Sequence, residues 1–524
     1  MPHSIRRKWT GRNRLCALLI AAIVMTVAVL SPPYVDVIDA KVRVEVTHSI
    51  VDRGSLAIAE IPGYGYLSML GADGRHYSVY GLGQSLVLIP LDVLAKLAAA
   101  AAPVGANSKL VLRDSLLGYA YTLVMGGLLA WVMFLALRTL RLSHRSSARG
   151  VALLFFATCW LIWGRSMQEE TLAAAMLLGA YVLAHRALAG RGGLASIAGA
   201  GLLLGLLANV RYNAIFAAAA LGLWTCWRLW QSGQGRRVAA LVLSGLPGII
   251  LAAAYNRLRF GSWTDTGYAT SMAYINGGQT PPWDFGIGRL VDFIVGLDCG
   301  LLWFTLPLLF LPWAFKNRAR ALTALLLLAL AGNTVFMAAA PGLGLGGGSG
   351  YCGPRYLAHG VLVLAPFIWL GVRRASFKRP RWAKFAVPML FAASIVMQAA
   401  AIPLSYHLES VQDDFAKAGG GVHDPKRWIP RRYANLLRLA TGSLYDASLP
   451  ASAAARAELS SNALYGARIF TTPELTPWRL KASTAAESLP GSVVTAVIVL
   501  WGALAAGSGL VWWRFARRLR RRKR

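Results

Sequence analysis

The chain has 524 residues, 56% of them hydrophobic, a mean hydropathy of +0.50 and a formal net charge of +32. Soluble domains are about 45–50% apolar even with glycine counted, and apolar runs of about 18 residues or more recur here, so an ordinary soluble protein is excluded and a polytopic membrane protein is expected. Its five cysteines are odd in number and contain no CxxC, which points to neither a disulfide framework nor a zinc site.

The chain opens on the basic stretch "IRRKWTGRNR" within residues 1–14, followed by a first apolar run over 15–34. At about 20 residues this run is long for a signal-peptide core, and no small-x-small cleavage site follows, so a retained span is expected. Further spans are expected at 115–137, 150–164, 171–188, 196–209, 212–230, 238–256, 298–315, 321–340, 355–371, 384–404 and 491–513. The basic loops between them ("LRTLRLSHRSSAR", "QGRRV", "KNRAR", "RRASFKRPRWAK") and the 514–524 tail "RFARRLRRRKR" follow the positive-inside pattern. That pattern, not nucleic-acid binding, accounts for the charge, and it places both termini in the cytoplasm; the tail is expected to meet anionic headgroups.

Residues 35–114 then form a first outer loop with its own helices. The segment 81–102, "GLGQSLVLIPLDVLAKLAAAAA", is long enough to cross, but crossing would turn the following basic loops outward. It is read as an interfacial or re-entrant helix on the outer side, carrying Asp92 and Lys96. Residues 257–297 make a second outer loop, "PGLGLGGGSGYCG" a glycine-rich third, and 405–490 a small polar outer domain before the last span. The glycine run is no P-loop, because no strand precedes it and no GK[ST] follows. No internal repeat supports an inverted-repeat transporter.

On this topology the unusual polar residues at span ends all fall outside: Asp36, Asp39 and Glu45; Arg165, Glu169 and Glu170; Arg211 in "NVRYN"; Asn256 and Arg257; Arg355 and Tyr356. Carboxylates and guanidiniums gathered at one membrane surface suit the binding of an anionic headgroup beside acids. Each also has a plainer reading. Asp39–Arg43 and Lys41–Glu45 stand at i,i+4 and could be surface pairs worth about 0–1 kcal/mol. Asp36 could cap a helix, Glu169–Glu170 could complement a helix N-terminus, and Arg211 and Arg355 could snorkel.

Several of these stretches are familiar together. "DAKVRVEVTHSIVDRGSL", "DGRHYSVYGLGQSLVLIPL", "RSMQEETLAAAML", "GLLLGLLANVRYNAIF", "YNRLRFGSWTDTGY" and "GYCGPRYL" resemble, in order and spacing over roughly residues 15–400, the polytopic glycosyltransferases of the GT-C fold. The likeness is to bacterial members related to protein O-mannosyltransferases and the aminoarabinose transferase of lipid A. The resemblance implies an all-α, GT-C-like membrane protein of about twelve transmembrane helices, a polyprenyl-phosphate sugar donor, a glycan, lipid or protein acceptor in the cell envelope, and a bacterial inner-membrane location. It puts Asp39 at the catalytic carboxylate, Glu45 at the helix glutamate and Glu170 at the second acidic motif, with Thr171 for the usual proline. Tyr80 stands where the family has a lysine thought to meet donor phosphate, so another cation must do so or the donor pose differs.

The chemistry suits those positions. A carboxylate within hydrogen-bond reach of an acceptor hydroxyl or amine can act as its base, for which Asp39 is the choice. The departing lipid phosphate needs cations, for which Arg211 and Arg355 are candidates and Arg165 a weaker one. A divalent metal held by Asp39 and Glu170 is left open, since the family contains members with and without one. The competing readings are a lipid-linked saccharide flippase, against which the Leu-, Ala- and Gly-rich span middles argue, and an inactive GT-C-like scaffold.

Overall fold

The computed structural model describes residues 3–32, 34–61, 65–275, 277–279, 283, 285–297, 300–316, 320–340, 355–377, 381–405, 408–409, 412, 428–449, 472–475 and 491–520. The expected glycine-rich outer loop at 341–353, much of the 405–490 segment and the last four residues of the basic tail lie outside them.

The first helix, α1 (His3–Leu30), buries Leu15, Leu19, Ile23 and Val27. Their i,i+4 spacing puts one apolar stripe against the bundle. After a short extended link, α2 (Ile38–Arg53) runs to Gly54, whose left-handed φ of 62° ends the helix. The loop that follows holds strands β1 (Ser68–Leu70) and β2 (His76–Ser78), an antiparallel hairpin pairing Met69 with Tyr77. The loop was expected to carry helices of its own, and the hairpin adds to them. The hairpin forms because Gly74 takes the positive φ its turn requires, at 77°, while the Asp73 carboxylate accepts from the Arg75 backbone and the Tyr77 hydroxyl.

Helix α3 (Gly83–Ala101) is continuous for 19 residues through Pro90. It therefore does not double back as a re-entrant segment would, and it is long and apolar enough to cross a membrane. Its acid, Asp92, is fully buried and accepts from Arg113 Nε at 2.7 Å. Arg113 lies on the long helix α4 (Ala106–Thr139).

The expected span at 150–164 is instead two helices, α5 (His144–Ala157) and α6 (Trp160–Gly164). The Thr158 hydroxyl between them donates to Leu154 O and accepts from the Trp160 amide, which turns the chain. Helices α7 (Glu169–Leu188) and α8 (Gly193–Val210) follow, then a 3-10 turn at Tyr212–Ala214, α9 (Ile215–Gln231) and α10 (Gly235–Phe260). Helices α8 and α10 approach through glycine. A Cβ on Gly205 would lie 2.0 Å from the Gly245 carbonyl oxygen, and one on Gly248 would lie 2.3 Å from Gly205 C. Small residues at such spacing let apolar helices pack backbone to backbone.

Short helices α11 (Tyr268–Ile275), α12 (Ile287–Val295) and α13 (Leu301–Phe304) lead into a 3-10 stretch, Leu306–Lys316. The expected span at 298–315 is therefore broken, consistent with Pro307 and Pro312 in that stretch. Helices α14 (Arg320–Ala339), α15 (Ala358–Phe377) and α16 (Arg381–Ala401) complete the main bundle, with α15 at its buried centre. Two further helices, α17 (Trp428–Ala440) and α18 (Leu444–Ala447), precede α19 (Gly491–Arg520), which packs along α1 at the periphery. Among the described residues ten helices are long and apolar enough to cross a membrane. About twelve were expected; three expected spans are short or broken and α3 is added.

Candidate functional site

Five chain segments meet at the end of the bundle where α1 stops. They are the first turns of α2, the loop after β2, the N-terminus of α7, the exit of α8 and the 3-10 turn Arg355–Leu357 that opens α15. Each apolar helix ends there in a polar residue, and packing the helices side by side brings those ends together.

Three carboxylates and three guanidiniums alternate in this cluster. Arg355 is hydrogen-bonded to Asp39 and, through Nε at 3.0 Å, to Glu170. Arg211 pairs with Glu169 and lies 2.8 Å from Glu170 Oε1. Arg43 Nη2 lies 2.9 Å from Glu169 Oε1 and its guanidinium covers the Tyr80 ring at 4.0 Å. Tyr268 meets both Tyr80 and Tyr212 edge-on, and Tyr356 lies beneath Arg211 and Arg355, so aromatic rings wall the charges. Arg43, Arg355, Glu169 and Glu170 are all nearly inaccessible, whereas the Asp39 side chain keeps 13% exposure. Asp39 is thus the carboxylate that a molecule entering from outside reaches.

Electrostatics divide the acids. Burial alone would push the Asp39 carboxyl up, but the Arg355 and Arg43 guanidiniums, with hydrogen bonds from Arg355 and Tyr80, outweigh it and hold Asp39 at about 2. Burial, and then the Asp39 charge, push the Tyr80 phenol well above its ordinary value, so Tyr80 is a donor here and not an anion.

The cluster balances in charge yet not in hydrogen bonds. Arg43 Nε and Nη1, Arg211 Nε, Glu169 Oε2 and Glu170 Oε2 are buried without a hydrogen-bond partner. More than about 90% of buried polar groups in folded proteins are paired. N–H donors left open beside a partly exposed carboxylate are what an anionic ligand would fill.

The sequence candidates separate on this geometry. Asp39, Glu170, Arg211, Arg355 and Tyr80 come together. Arg165 does not join them: it is buried against Glu474 at 3.0 Å and the Leu30 carbonyl. Asp36 does not cap α2, whose N-cap is Val37 with no side-chain bond; it accepts from Ser166 Oγ at 3.0 Å instead. Burial first, then Glu474, push Asp36 up to about 6 against the opposing pull of Arg165 and Ser166. Glu45 is half-buried one face away, toward Asp114, and bonds to no member of the cluster.

In the sequence Glu169 stands out only as a span-end acid and Arg43 only as an i,i+4 neighbour of Asp39, neither with a site role. The i,i+4 spacing of Asp39 and Arg43 suggested a surface pair. In fact both turn inward and Arg43 bonds across to α7. Glu474 carried no signal, since its partner lies 309 positions away.

The Tyr80 loop is held in place from two sides. Arg259, fully buried on α10, donates to the carbonyls of Ser78 and Tyr80. Gly81 sits so close to α8 that a Cβ there would be 2.2 Å from the Asn209 carbonyl oxygen. These contacts account for glycine after Tyr80 and for the arginine in "NRLRFG".

The residues present do not fit a bound divalent cation. No group of three or more His, Cys, Asp or Glu side chains is placed to hold one among the described residues. Three guanidiniums within reach already balance the three carboxylates, so a cation at the open Glu169 Oε2 and Glu170 Oε2 would meet no net negative charge.

No family model matches the chain, and no curated protein matches it. Among solved structures it is similar to ArnT from Cupriavidus metallidurans in the apo state, with a TM-score of 0.47 and 13% identity over 88% of this chain and 76% of that one. It is similar to the same protein bound to undecaprenyl phosphate, with a TM-score of 0.46 and 14% identity over 86% and 74%. A further likeness is to the Archaeoglobus fulgidus oligosaccharyltransferase in complex with Zn and sulfate, with a TM-score of 0.39 and 11% identity over 79% and 56%. At these scores the likenesses carry no weight in assigning a function, which rests on the cluster itself.

Proposed function

We propose that the chain transfers a sugar from a polyprenyl-phosphate donor to a cell-envelope acceptor, at the cluster centred on Asp39. The observation that carries this reading is the set of buried, partly unpaired guanidiniums beside one accessible carboxylate, at the mouth of an apolar bundle. The motif order that resembles GT-C glycosyltransferases supports it.

The donor phosphate would sit on Arg43, Arg211 and Arg355, with its lipid tail between helices. Its charge competes with Asp39 for Arg355. Drawing that guanidinium away removes the largest influence holding Asp39 down, and burial then raises its pKa, against Arg43 and Tyr80, which makes it a stronger base. The acceptor oxygen or nitrogen attacks the anomeric carbon as Asp39 takes its proton. The bond from that carbon to the phosphate oxygen breaks in the same displacement, with inversion, and the guanidiniums stabilise the polyprenyl phosphate that leaves. Tyr80 supplies no charge, but it orients Arg43 through its ring, so Arg43 takes the place of a lysine at that point.

The test is transfer from radiolabelled polyprenyl-phosphate sugars by the purified protein in lipid nanodiscs. Release of lipid phosphate and its loss in Asp39→Asn is the expected result. Full transfer by Asp39→Asn, at normal protein levels, would overturn the proposal.

A further inference from the structure

At the bundle end remote from this cluster, α1 and α19 leave a cleft of about 700 Å³. Arg14, Arg514, Arg517 and Arg518 line it, over a floor that includes Leu18 and Trp513. The cleft lies roughly 25 Å from the Asp39 end, given the 1.5 Å rise per residue along α1.

Two facts make these charges unusual. No Asp or Glu occurs anywhere in residues 1–35 or 488–524, so neither helix holds a carboxylate that could answer them. The same is true of residues 115–168, which contain α5, packed beside α1. These four guanidiniums are solvent-exposed and converge with no acid, leaving a concentrated positive patch that an anion would neutralise. Lower down, the helices are pinned together: Trp512 Nε1 donates to Thr26 Oγ1 at 2.7 Å and Trp501 Nε1 to the Val29 carbonyl at 2.9 Å. Arg517 also stacks on Trp513 at 5.3 Å, which fixes one guanidinium at the rim.

We infer that this cleft binds the headgroup of one anionic phospholipid, its phosphate among the four arginines and an acyl chain along Leu18 and Trp513. A phospholipid suits it better than a free anion because the floor is apolar and both helices run on as membrane-length apolar segments. The lipid bridges α19 to α1. This site is independent of the sugar-transfer reading.

The test uses the full chain in nanodiscs of equimolar phosphatidylglycerol and phosphatidylcholine, then detergent exchange and native mass spectrometry. The wild type is expected to retain one phosphatidylglycerol in preference to phosphatidylcholine. The pair Arg514→Gln and Arg517→Gln is expected to lower that retention roughly tenfold or more. The pair Arg228→Gln and Arg236→Gln, outside the cleft, should leave it unchanged. Equal retention of the two lipids by the wild type, undiminished retention in the cleft variant, or complete displacement by inorganic phosphate overturns the inference. If the cleft variant does not fold, the wild-type comparison of the two lipids decides alone.

Discussion

Replacing Arg355 by glutamine removes the guanidinium that joins Asp39 to Glu170. The magnitude can be worked from the Asp39 side. Its carboxyl is held at about 2 against a reference of 3.8, and at 1.36 kcal/mol per unit this favours the charged form by roughly 2 kcal/mol. That net figure is what Arg355, Arg43 and Tyr80 together leave after burial has opposed them, and Arg355, the largest of the three, is taken as of about this order. Breaking one side of a buried pair typically costs about 3–5 kcal/mol, because the partner is left charged and unanswered. Arg355→Gln and Asp39→Asn should therefore each destabilise the protein, and the double variant should lose less than their sum by about 2 kcal/mol. Denaturant titration in detergent micelles, followed by tryptophan fluorescence and circular dichroism, measures the cycle. The sign of the pH dependence is fixed as well. A depressed folded pKa gives stability that is present above the unfolded value near 3.8 and lost as pH falls through about 2. That acid-side loss should be smaller in Asp39→Asn. A coupling below about 0.5 kcal/mol, the level seen for unrelated sites, would refute the pairing on which the site is built.

Three further outcomes follow from the same geometry. Arg43→Ala should raise KM for the lipid-phosphate donor by roughly tenfold or more, while Arg43→Lys keeps the charge but loses the open Nε and recovers only part of it; transfer kinetics in nanodiscs decide this. Asp36 has a raised folded pKa, so its contribution to stability declines as pH rises from near 3.8 to about 6 and stays low above that. Asp36→Asn should accordingly gain up to about 3 kcal/mol relative to wild type at pH 7 and little at pH 4, read by denaturant titration at the two pH values. Gly205→Leu should force α8 from α10 and break the Asn209 Nδ2 bond to the Gly248 carbonyl, now 2.7 Å. The expected cost is a few kcal/mol, with loss of transfer as the Tyr80 loop shifts; unchanged stability and activity would contradict the close packing.

Much about this protein is written locally in its sequence. Runs of apolar residues made most of the helices legible, because crossing a membrane is a local requirement of length and hydropathy. Polar residues at the ends of those runs pointed to Asp39, Glu170, Arg211 and Arg355, because a charge is tolerated there only if it faces protein or water. Requirements that are not local leave no such trace in the sequence. The breaks at Thr158–Cys159 and within 306–316 depend on a side-chain bond and on proline placement against neighbouring helices, and no periodicity displays them. Whether Arg43 pairs with Asp39 four residues away or crosses to Glu169 is decided by which face of α2 the bundle covers. Arg165 went to Glu474 for the same reason: a buried charge takes the partner that packing brings within reach, whatever its distance along the chain. Composition and pattern by themselves thus determined a polytopic helical protein with its charged residues at the ends of spans. Only the tertiary structure decided which of them form one balanced cluster, since charge pairing in a dry interior is set by packing geometry and not by order along the chain.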